Sequence, residues 1–296
     1  MHSRIFAANP VEMTRTESVP ELQKIAAQIR RDAVRMVYAV QSGHPGGSLG
    51  CADFFAAMYF SIMKHTPERF AMAGHGEDLF FLSNGHISPG WYSTLARAGY
   101  FDIAELATFR KINSRLQGHP ATKENLPGIR LATGSLGQGM SVAIGAALAK
   151  KLNTDSSLVY SLHGDGELQE GQNWEAATFA AHHKVDNLIA TIDLNGQQID
   201  GSTKTVMNIG DVGAKFRAFG WHTMNMDGHD MNAILSTMKA AREASGKGKP
   251  VCIVMKTEMG KGVDYMEGTH EFHGKAPNES QFHSAMAQLP ATLGDY

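Results

Sequence analysis

The chain has 296 residues, of which 43% are hydrophobic and 19% charged, and its 27 Lys and Arg against 29 Asp and Glu leave a net charge of −2. A chain this apolar buries enough surface to offset its ordering entropy, so the composition excludes intrinsic disorder. The balanced charge excludes a general attraction to nucleic acids or to anionic membranes, and we expect neither as a partner.

The two cysteines and the N-terminal segment indicate the compartment. Cys51 and Cys252 form neither a CxxC pair nor a disulfide framework, which is typical of a reducing environment. The first twenty residues hold no apolar run long enough for a signal sequence, and no stretch of about 18 apolar residues occurs elsewhere. We therefore expect a soluble, cytoplasmic protein.

Hydrophobic periodicity predicts the elements in chain order. A helix begins near Pro20, with Ser18 close to its N-terminus, and ends at Gly43. The elements expected after it are a helix over 52–63, a strand over 78–82, a helix after the turn at 84–85, a helix over 140–152, a strand over 157–162, a helix over 170–184, a strand over 187–194, a segment over 214–220, a strand over 221–227, a helix over 232–244 and a strand over 250–256.

This alternation of strands with helices of 10–15 residues predicts an α/β fold, a doubly wound and mainly parallel sheet with helices on both faces. We expect an N-terminal extension over 1–19, one domain over 20–288 and a mobile C-terminal tail over 289–296. Long inserted loops are expected at 64–78, 110–137 and 258–283. In such a sheet ligands bind beyond the carboxyl ends of the strands.

The most specific motif lies at two predicted strand ends. Asp165, flanked by Gly164 and Gly166, follows one strand, and Asn195 follows the next strand 30 residues later, about one strand-helix-strand unit. The two side-chain oxygens can therefore meet, and with a carbonyl near Gln197 they suit Mg²⁺ or Ca²⁺ beside a diphosphate. Two ordinary turns are the alternative interpretation, which the spacing of the pair disfavours.

Several motifs in this order resemble the thiamine diphosphate signature and the transketolase family, over about residues 22 to 280. The matching segments are SGHPGGSLG (42–50), LSNGHISP (82–89), GHP (118–120), LPG…TGSLGQG (126–139), GDGELQEG (164–171), NGQQIDG (195–201) and GTHEFHGKAP (268–277).

The resemblance implies a metal and cofactor site. Asp165, Asn195 and the main-chain carbonyl of Gln197 would bind Mg²⁺, with Ca²⁺ or Mn²⁺ as substitutes, and Gly166 would contribute to the diphosphate site. The family usually has an aliphatic residue where Gln197 stands. That change is harmless if only the carbonyl is used, whereas a side chain turned inward would disturb cofactor packing.

The same resemblance implies a slot for the bent form of thiamine diphosphate. Gly134, Leu136 and Ile199 match the positions that shape it. For Leu136 and Ile199 ordinary core packing is the alternative, and the two roles are compatible.

Four of the fourteen histidines fall inside the matching motifs, each beside Gly or Pro on a tight loop. Imidazoles titrate near neutrality and exchange protons with hydroxyls. The resemblance implies that His44, His119 and His273 contact the reacting hydroxyls of the donor sugar, and that His86 with His273 lines the diphosphate side. Zinc binding is disfavoured because a local two-ligand spacing is missing. His270 is left open between a site role and a supporting one.

Glu170 has two compatible interpretations. In the first turn of a helix, a carboxylate interacts favourably with the positive end of the dipole. By resemblance, Glu170 also matches a family glutamate at the subunit contact, which communicates with the catalytic glutamate of a neighbouring domain.

The resemblance implies transfer of a two-carbon ketol unit from a ketose (phosphate) to an aldose (phosphate), with thiamine diphosphate and Mg²⁺. In the family the catalytic glutamate lies on a second domain, for which 296 residues leave no length. We therefore expect the N-terminal subunit of a split transketolase, completed by a C-terminal subunit with the pyrimidine-binding domain in a heterotetramer of two of each.

Three alternatives remain at this stage. One is a thiamine diphosphate-dependent synthase acting on a 2-oxo acid and an aldehyde. Another is a non-enzymatic scaffolding subunit, which would be expected to have lost motif residues that this chain retains. A nicotinamide dehydrogenase is disfavoured because GSLGQG lacks the G-x-G-x-x-G spacing.

Overall fold

The computed structural model describes residues 15–296, so residues 1–14 of the expected N-terminal extension lie outside the described part of the chain. Five parallel strands form the central sheet in the order β1-β2-β3-β7-β6, and β4 and β5 form a small antiparallel hairpin. The strands are β1 Leu79–Leu82, β2 Val159–Gly164, β3 Leu188–Leu194, β4 Gln197–Gln198, β5 Gly201–Ser202, β6 His222–Asp227 and β7 Val251–Lys256.

The helices are α1 Val19–Val40, α2 Pro45–Gly50, α3 Ala52–Ala57, α4 Ser88–Arg97, α5 Gly139–Leu152, α6 Gly171–His182, α7 Thr203–Val206, α8 Val212–Ala218, α9 Met231–Ala244 and α10 Glu279–Gln288. The predicted helix over 52–63 is α3 followed by a π-helical turn over Met58–Ile62. Between residues 15 and 296, none of the helices combines the length and apolarity needed to cross a lipid bilayer.

The sheet is covered on both faces, which confirms the predicted α/β class. Leu82 and Phe80 of β1 pack in a cluster with residues of α1, α3, α4 and α9. Their neighbours Leu79 and Phe81 point to the opposite face and pack with α5, α6 and α8. Strands buried on both faces consist of nearly continuous apolar residues, which is why β2, β3 and β7 could be read from the sequence.

Three helices were not predicted, namely α2, α7 and α10. The loop expected over 258–283 ends at Asn278, because α10 begins at Glu279, where the side chains of Asn278 and Gln281 form a reciprocal capping box. Within α10 only Ala285 is buried, so the apolar periodicity is too weak to reveal the helix. Of the other two, α2 is a short glycine-containing helix whose sequence favours a loop, and α7 is a single turn over Thr203–Val206.

The C-terminal segment, for which the sequence predicts a mobile tail, lies against α1. The carboxylate of Asp295 accepts from Arg31 Nε at 2.7 Å and lies 3.1 Å from Arg35 Nη1. The backbone N–H of Leu293 donates to Gln28 Oε1 at 3.0 Å. Polar side chains of a distant helix therefore satisfy a segment that has no regular structure of its own.

A buried ion pair holds α1 against α4. Asp32 is completely buried and accepts from Arg97 Nε at 2.5 Å and from Arg97 Nη2 at 3.0 Å. Ser93 Oγ donates to Asp32 Oδ2 at 2.7 Å, and Gln28 Nε2 donates to Asp32 Oδ1 at 2.9 Å. Every lone pair of this carboxylate is engaged, which offsets the cost of its desolvation.

We predict that Asp32→Ala lowers the free energy of unfolding by about 3–5 kcal/mol, because it leaves the Arg97 cation buried without its partner. Denaturant titration followed by circular dichroism measures the change. Asp295→Ala is the matched control, since its partly exposed ion pairs are worth about 1 kcal/mol or less. An equal loss of unfolding free energy in the two variants would contradict a larger contribution from the buried pair of Asp32 and Arg97.

Candidate active site

The carboxyl ends of β2 and β3 meet. The two strands are neighbours, with Gly164 in register with Asp193. The backbone N–H of Asp165 donates to the carbonyl of Asp193 at 3.1 Å, and the N–H of Gly196 donates to Asp165 Oδ2 at 2.7 Å. Asp165 and the loop that begins at Asn195 therefore occupy one place, as the spacing predicts.

Two carboxylates lie buried at this junction, Asp165 and Asp193, each 2% exposed. Burial, together with the negative charge of Asp193, raises the pKa of Asp165 to about 7. Burial also raises the pKa of Asp193. The donors that reach the pair include backbone amides, the Asn195 amide, the Thr257 hydroxyl and the Cys51 thiol. Such a concentration of acidic oxygen is an environment that a divalent cation stabilises.

Asp193 was not singled out from the sequence, yet it orients Asn195. Asn195 Nδ2 donates to Asp193 Oδ2 at 2.9 Å, and Asn195 Oδ1 accepts from the N–H of Gln197 at 2.9 Å. The two bonds hold the side-chain amide in one orientation. The available signal was an acidic residue near the end of an otherwise apolar strand, two positions before the motif asparagine.

Gln197 is in the β4 hairpin beside the site. Its Nε2 lies 3.4 Å from the carbonyl oxygen of Gly268, a long contact, in the loop that follows β7. The side chain thus extends toward that loop while the residue remains on the cavity wall. Of the two sequence interpretations, use of the carbonyl alone is compatible with this arrangement.

A cavity of about 380 Å³ opens beyond these strand ends. The structure places all twelve sequence-predicted site residues on its wall. They are His44, His86, His119, Gly134, Leu136, Asp165, Gly166, Glu170, Asn195, Gln197, Ile199 and His273. Residues distributed over 230 positions of the chain thus converge on one space.

The four motif histidines form one cluster. The ring centroids of His86 and His273 are 4.9 Å apart, and His44 lies 5.2 Å from His86, 5.7 Å from His273 and 6.0 Å from His119. Burial lowers the pKa of all four, that of His44 to about 4. At neutral pH each ring is therefore neutral and can both donate and accept a hydrogen bond.

Several buried polar atoms on this wall have no hydrogen-bond partner among the described residues. They include Nδ1 of His44, Nδ1 of His273 and Oδ1 of Asn84. Buried polar atoms in native proteins are nearly always paired, so these atoms are suited to partners from a bound molecule or water.

Glu167 is a second residue that sequence reasoning missed. Its Oε1 accepts from the N–H of Gly137 at 2.8 Å and from the hydroxyl of Ser83, and its Oε2 accepts from the N–H of Gly164 at 3.1 Å. Burial raises the pKa of this carboxyl. Glu167 therefore ties together the ends of β1 and β2 and the loop before α5, which surround the cavity.

The residues expected to shape a cofactor slot differ in exposure. Gly134 has φ +118°, and a Cβ there would lie 2.7 Å from Cδ2 of His119, so this close approach requires glycine. Leu136 is half-buried on the cavity wall. Ile199 is 58% exposed, so the alternative of ordinary core packing is wrong for it.

The structure also places the two ambiguous residues. Glu170 is the N-cap of α6 rather than a residue of its first turn, and its exposed side chain makes no capping hydrogen bond. His270 is exposed, and its carbonyl accepts from the N–H of His273 at 2.9 Å. That contact favours the supporting role for His270.

Within residues 15–296, no group of three or more His, Cys, Asp and Glu side chains is arranged to hold a metal ion. The set expected from the sequence does not need such a group, because it consists of one carboxylate, one amide oxygen and one main-chain carbonyl. All three donors are oxygen atoms, as Mg²⁺ prefers.

Residues 22–291 match the family model described as transketolase, thiamine diphosphate binding domain. The chain is 39% identical over 275 residues to the 6-deoxy-6-sulfo-D-fructose transketolase subunit SqwG of a Clostridium species, covering 93% of this chain and 98% of that protein. It is 36% identical to an apulose-4-phosphate transketolase subunit of Actinobacillus succinogenes, covering 92% of this chain and 97% of that protein.

Among solved structures, the transketolase of Campylobacter jejuni superposes with a TM-score of 0.85 at 33% identity. The match covers 92% of this chain and 43% of that chain. The chain therefore has the length of the subunit-type relatives and about two fifths of the length of the longer enzymes.

We predict that stability depends on pH through His44. Its pKa is about 4 when folded, whereas an unfolded histidine titrates near 6.5, so the unfolded state binds more protons between these values. The stability that the neutral ring permits is therefore present above about pH 6.5 and is lost as pH falls toward 4. Between pH 7 and pH 5 the free energy of unfolding of His44→Gln should fall by about 1–2 kcal/mol less than that of the wild type. This figure allows for the partial exposure of the His44 ring.

Urea unfolding at the two pH values measures this difference. The buried carboxyls act in the opposite direction but are common to both proteins, so they cancel in the comparison. His75→Gln, at an exposed histidine, is the control. An identical pH dependence for wild type and His44→Gln would contradict the prediction.

Proposed function

The chain belongs to the transketolase family, and from this premise we propose that it is the N-terminal subunit of an enzyme that transfers a two-carbon ketol unit from a ketose phosphate to an aldose phosphate, using thiamine diphosphate and Mg²⁺. The observation that carries the proposal is the meeting of Asp165 and the Asn195 loop on the wall of a cavity that also holds four neutral histidines. The two cysteines are buried and free, which supports a cytoplasmic location.

The residues at the strand ends fit the expected cofactor. Asp165, Asn195 and the carbonyl of Gln197 would hold Mg²⁺, or Ca²⁺ or Mn²⁺ in its place, because they supply only oxygen ligands to a buried acidic junction. Gly166 would leave room for the diphosphate, since a Cβ there would already lie 3.3 Å from Cβ of Gln198. The unpartnered atoms of Asn84, His44 and His273 support a bound molecule in the same cavity.

When bound, thiamine diphosphate supplies a carbanion nucleophile and an electron sink for cleavage of the bond next to the ketose carbonyl. The chain would contribute positioning. His44, His119 and His273 would orient the sugar hydroxyls and exchange protons with them, and neutral imidazoles suit both tasks. His86 would line the diphosphate side, and Gly134, Leu136 and Ile199 would shape the slot for the bent cofactor.

A partner chain would complete the site. Both relatives described above are named as subunits. Apolar side chains are exposed beside the cavity and on the outer faces of α5 and α6. They are Val142, Leu152, Phe179, Ile199, Val206 and Met207. Exposed apolar surface of this kind supports contact with another protein.

We propose that the partner is a C-terminal transketolase subunit carrying the pyrimidine-binding domain, in a heterotetramer of two of each chain. Glu170 would lie at the contact between subunits, since its carboxylate is exposed at the rim of the cavity. The substrate would carry an anionic group, because the names of the two relatives specify a sulfonated sugar and a sugar phosphate.

We predict that Asp165→Ala weakens Mg²⁺-dependent retention of thiamine diphosphate by more than about 100-fold, because a direct ligand is lost and outer-shell losses alone cost 10–100-fold. Cofactor remaining after gel filtration, with Mg²⁺ or with a chelator, measures the effect. Circular dichroism checks that the variant is folded.

Asp200→Ala is the control for that experiment, since it removes an exposed carboxylate five positions after Asn195. It should retain the cofactor as the wild type does. Unchanged affinity in Asp165→Ala would remove Asp165 from the metal site.

We further predict that the purified chain with thiamine diphosphate and Mg²⁺ does not transfer ketol units by itself. Addition of a C-terminal transketolase subunit should produce the transfer, because that subunit supplies the missing half of the site. The assay follows aldose-dependent consumption of a ketose phosphate. Full activity of the isolated chain would refute partner dependence.

A further inference from the structure

The short loop between β6 and α9 packs against the end of β7. The N–H of Gly228 donates to the carbonyl of Lys256 at 2.8 Å, and a Cβ at Gly228 would lie 2.6 Å from Cγ2 of Thr257. A larger residue would therefore collide with β7 at this point. The next residue of the loop is His229, whose side chain is 18% exposed. The loop thus places an imidazole against the segment that follows β7.

Both ring nitrogens of His229 are engaged. Nδ1 lies 3.1 Å from Asp53 Oδ2, and Nε2 accepts from the backbone N–H of Glu258 at 2.8 Å. Because a backbone N–H can only donate, Nε2 carries no proton, and the proton of the neutral ring is on Nδ1, which donates it to Asp53. These two bonds make His229 a bridge between α3 and the segment after β7.

The α3 end of this bridge is fixed by a buried ion pair. Asp53 is 7% exposed and accepts at Oδ1 from Arg30 Nη1 at 3.2 Å and at Oδ2 from Arg30 Nη2. Arg30 Nε in turn donates to the carbonyl of Leu49 at 3.0 Å. Burial acts to raise the pKa of Asp53, but the charge of Arg30 and the hydrogen bond from His229 lower it below its usual value. The carboxylate is therefore ionised and serves both donors as an acceptor.

The other end of the bridge reaches the proposed metal site. Thr257, the residue before Glu258, donates its hydroxyl to Asp193 Oδ1. Asp193 Oδ2 accepts from Asn195 Nδ2 at 2.9 Å and so orients that amide. Because Thr257 and Glu258 are consecutive, the bond to the imidazole fixes the backbone that carries the hydroxyl. The hydroxyl in turn fixes the carboxylate that orients Asn195.

The same segment continues into the wall of the cavity. The next residue, Met259, is a wall residue and is 1% exposed. The N–H of Gly260 donates to the carbonyl of Gly46 at 2.9 Å, two positions after His44. The segment that His229 holds therefore contacts both the acidic strand ends and the loop of a cavity histidine.

We propose that His229 is a positioning residue for the metal site, which holds the segment after β7 and thereby keeps the Asn195 amide in the orientation that presents its oxygen to the cation. Its side chain would act through Thr257 and Asp193 and would not touch the cation. Loss of such an outer partner typically weakens metal binding about 10- to 100-fold. This inference rests on the proposed function, because it presupposes the Mg²⁺ site at Asp165 and Asn195.

Two substitutions separate the two bonds of the imidazole. In His229→Gln the carboxamide oxygen can take the place of Nε2 and accept from Glu258, whereas the donor to Asp53 is lost. In His229→Asn the amide nitrogen can take the place of Nδ1 and donate to Asp53, whereas the acceptor for Glu258 is lost. The proposal requires that the metal site tolerates the first substitution and not the second.

The first experiment titrates the full chain with Mg²⁺ in a calorimeter in the presence of thiamine diphosphate. The Mg²⁺ dissociation constant should rise about 10- to 100-fold in His229→Asn and stay within about threefold of the wild type in His229→Gln. His222→Asn, at an exposed histidine of β6, is the control and should behave as the wild type does. Equal effects of the two His229 substitutions would overturn the proposal.

A second pair of variants tests the next link in the same titration. Thr257→Val keeps the shape of the side chain and removes the hydroxyl, whereas Thr257→Ser retains the hydroxyl and removes the methyl group that lies against Gly228. Thr257→Val should weaken Mg²⁺ binding about 10- to 100-fold, and Thr257→Ser should bind within about threefold of the wild type. A role in packing alone would reverse this order and overturn the proposal.

The third experiment uses the full chain without Mg²⁺ or cofactor and follows hydrogen exchange by NMR. Exchange of the Glu258 N–H and of the Asn195 side-chain amide should be about tenfold faster in His229→Asn than in the wild type, and within about twofold in His229→Gln. Unchanged exchange at Asn195 in His229→Asn would overturn the proposal. If the wild-type chain binds no Mg²⁺ with thiamine diphosphate, the proposed function fails, whereas these exchange rates still decide whether His229 positions Asn195.

Discussion

Two carboxylates at the ends of neighbouring parallel strands set the main physical constraint on this molecule. Asp165 and Asp193 are almost completely buried. They must lie close together because β2 and β3 are adjacent strands of the sheet. Burial favours the protonated acids, whereas a divalent cation would favour the ionised ones. The glycines, backbone amides and Asn195 side chain around the pair form a junction that suits the cation.

The rest of the cavity consists of loops held on this rigid base. The sheet supplies the acidic end, while His44, His86, His119 and His273 come from four separate segments. Glu167 joins three of the surrounding loops through hydrogen bonds to backbone amides and to a hydroxyl. This arrangement positions neutral imidazoles in one cavity with the acidic strand ends and leaves apolar side chains exposed nearby. This arrangement fits the proposal that a partner chain contributes to the site.

Much of the fold could be predicted because the hydrophobic pattern that identifies each strand or helix lies within that element. The buried strands are nearly continuous apolar runs and the covering helices repeat near 3.6 residues, so most elements lie within a few residues of their predicted bounds. The features that the sequence pattern does not show have a common cause. The last helix buries little of its own surface, and the segment after Leu289 has no periodicity, yet Arg31 and Gln28 of a helix more than 250 positions away hold it.

The sequence by itself determined that the motifs of Asp165 and Asn195 lie at one edge of the sheet, because one strand-helix-strand unit brings the two residues to neighbouring strand ends. The same spacing selects Gly166 and the region of Gln197, whereas the other expected wall residues could be chosen only through the family resemblance. Only the tertiary structure decided what surrounds them: the orientation that Asp193 imposes on Asn195, the exposure of Ile199 and the hydrogen bonds by which Glu167 joins the surrounding segments. Burial and electrostatic environment arise from segments far apart in the chain, and no local pattern encodes such contacts.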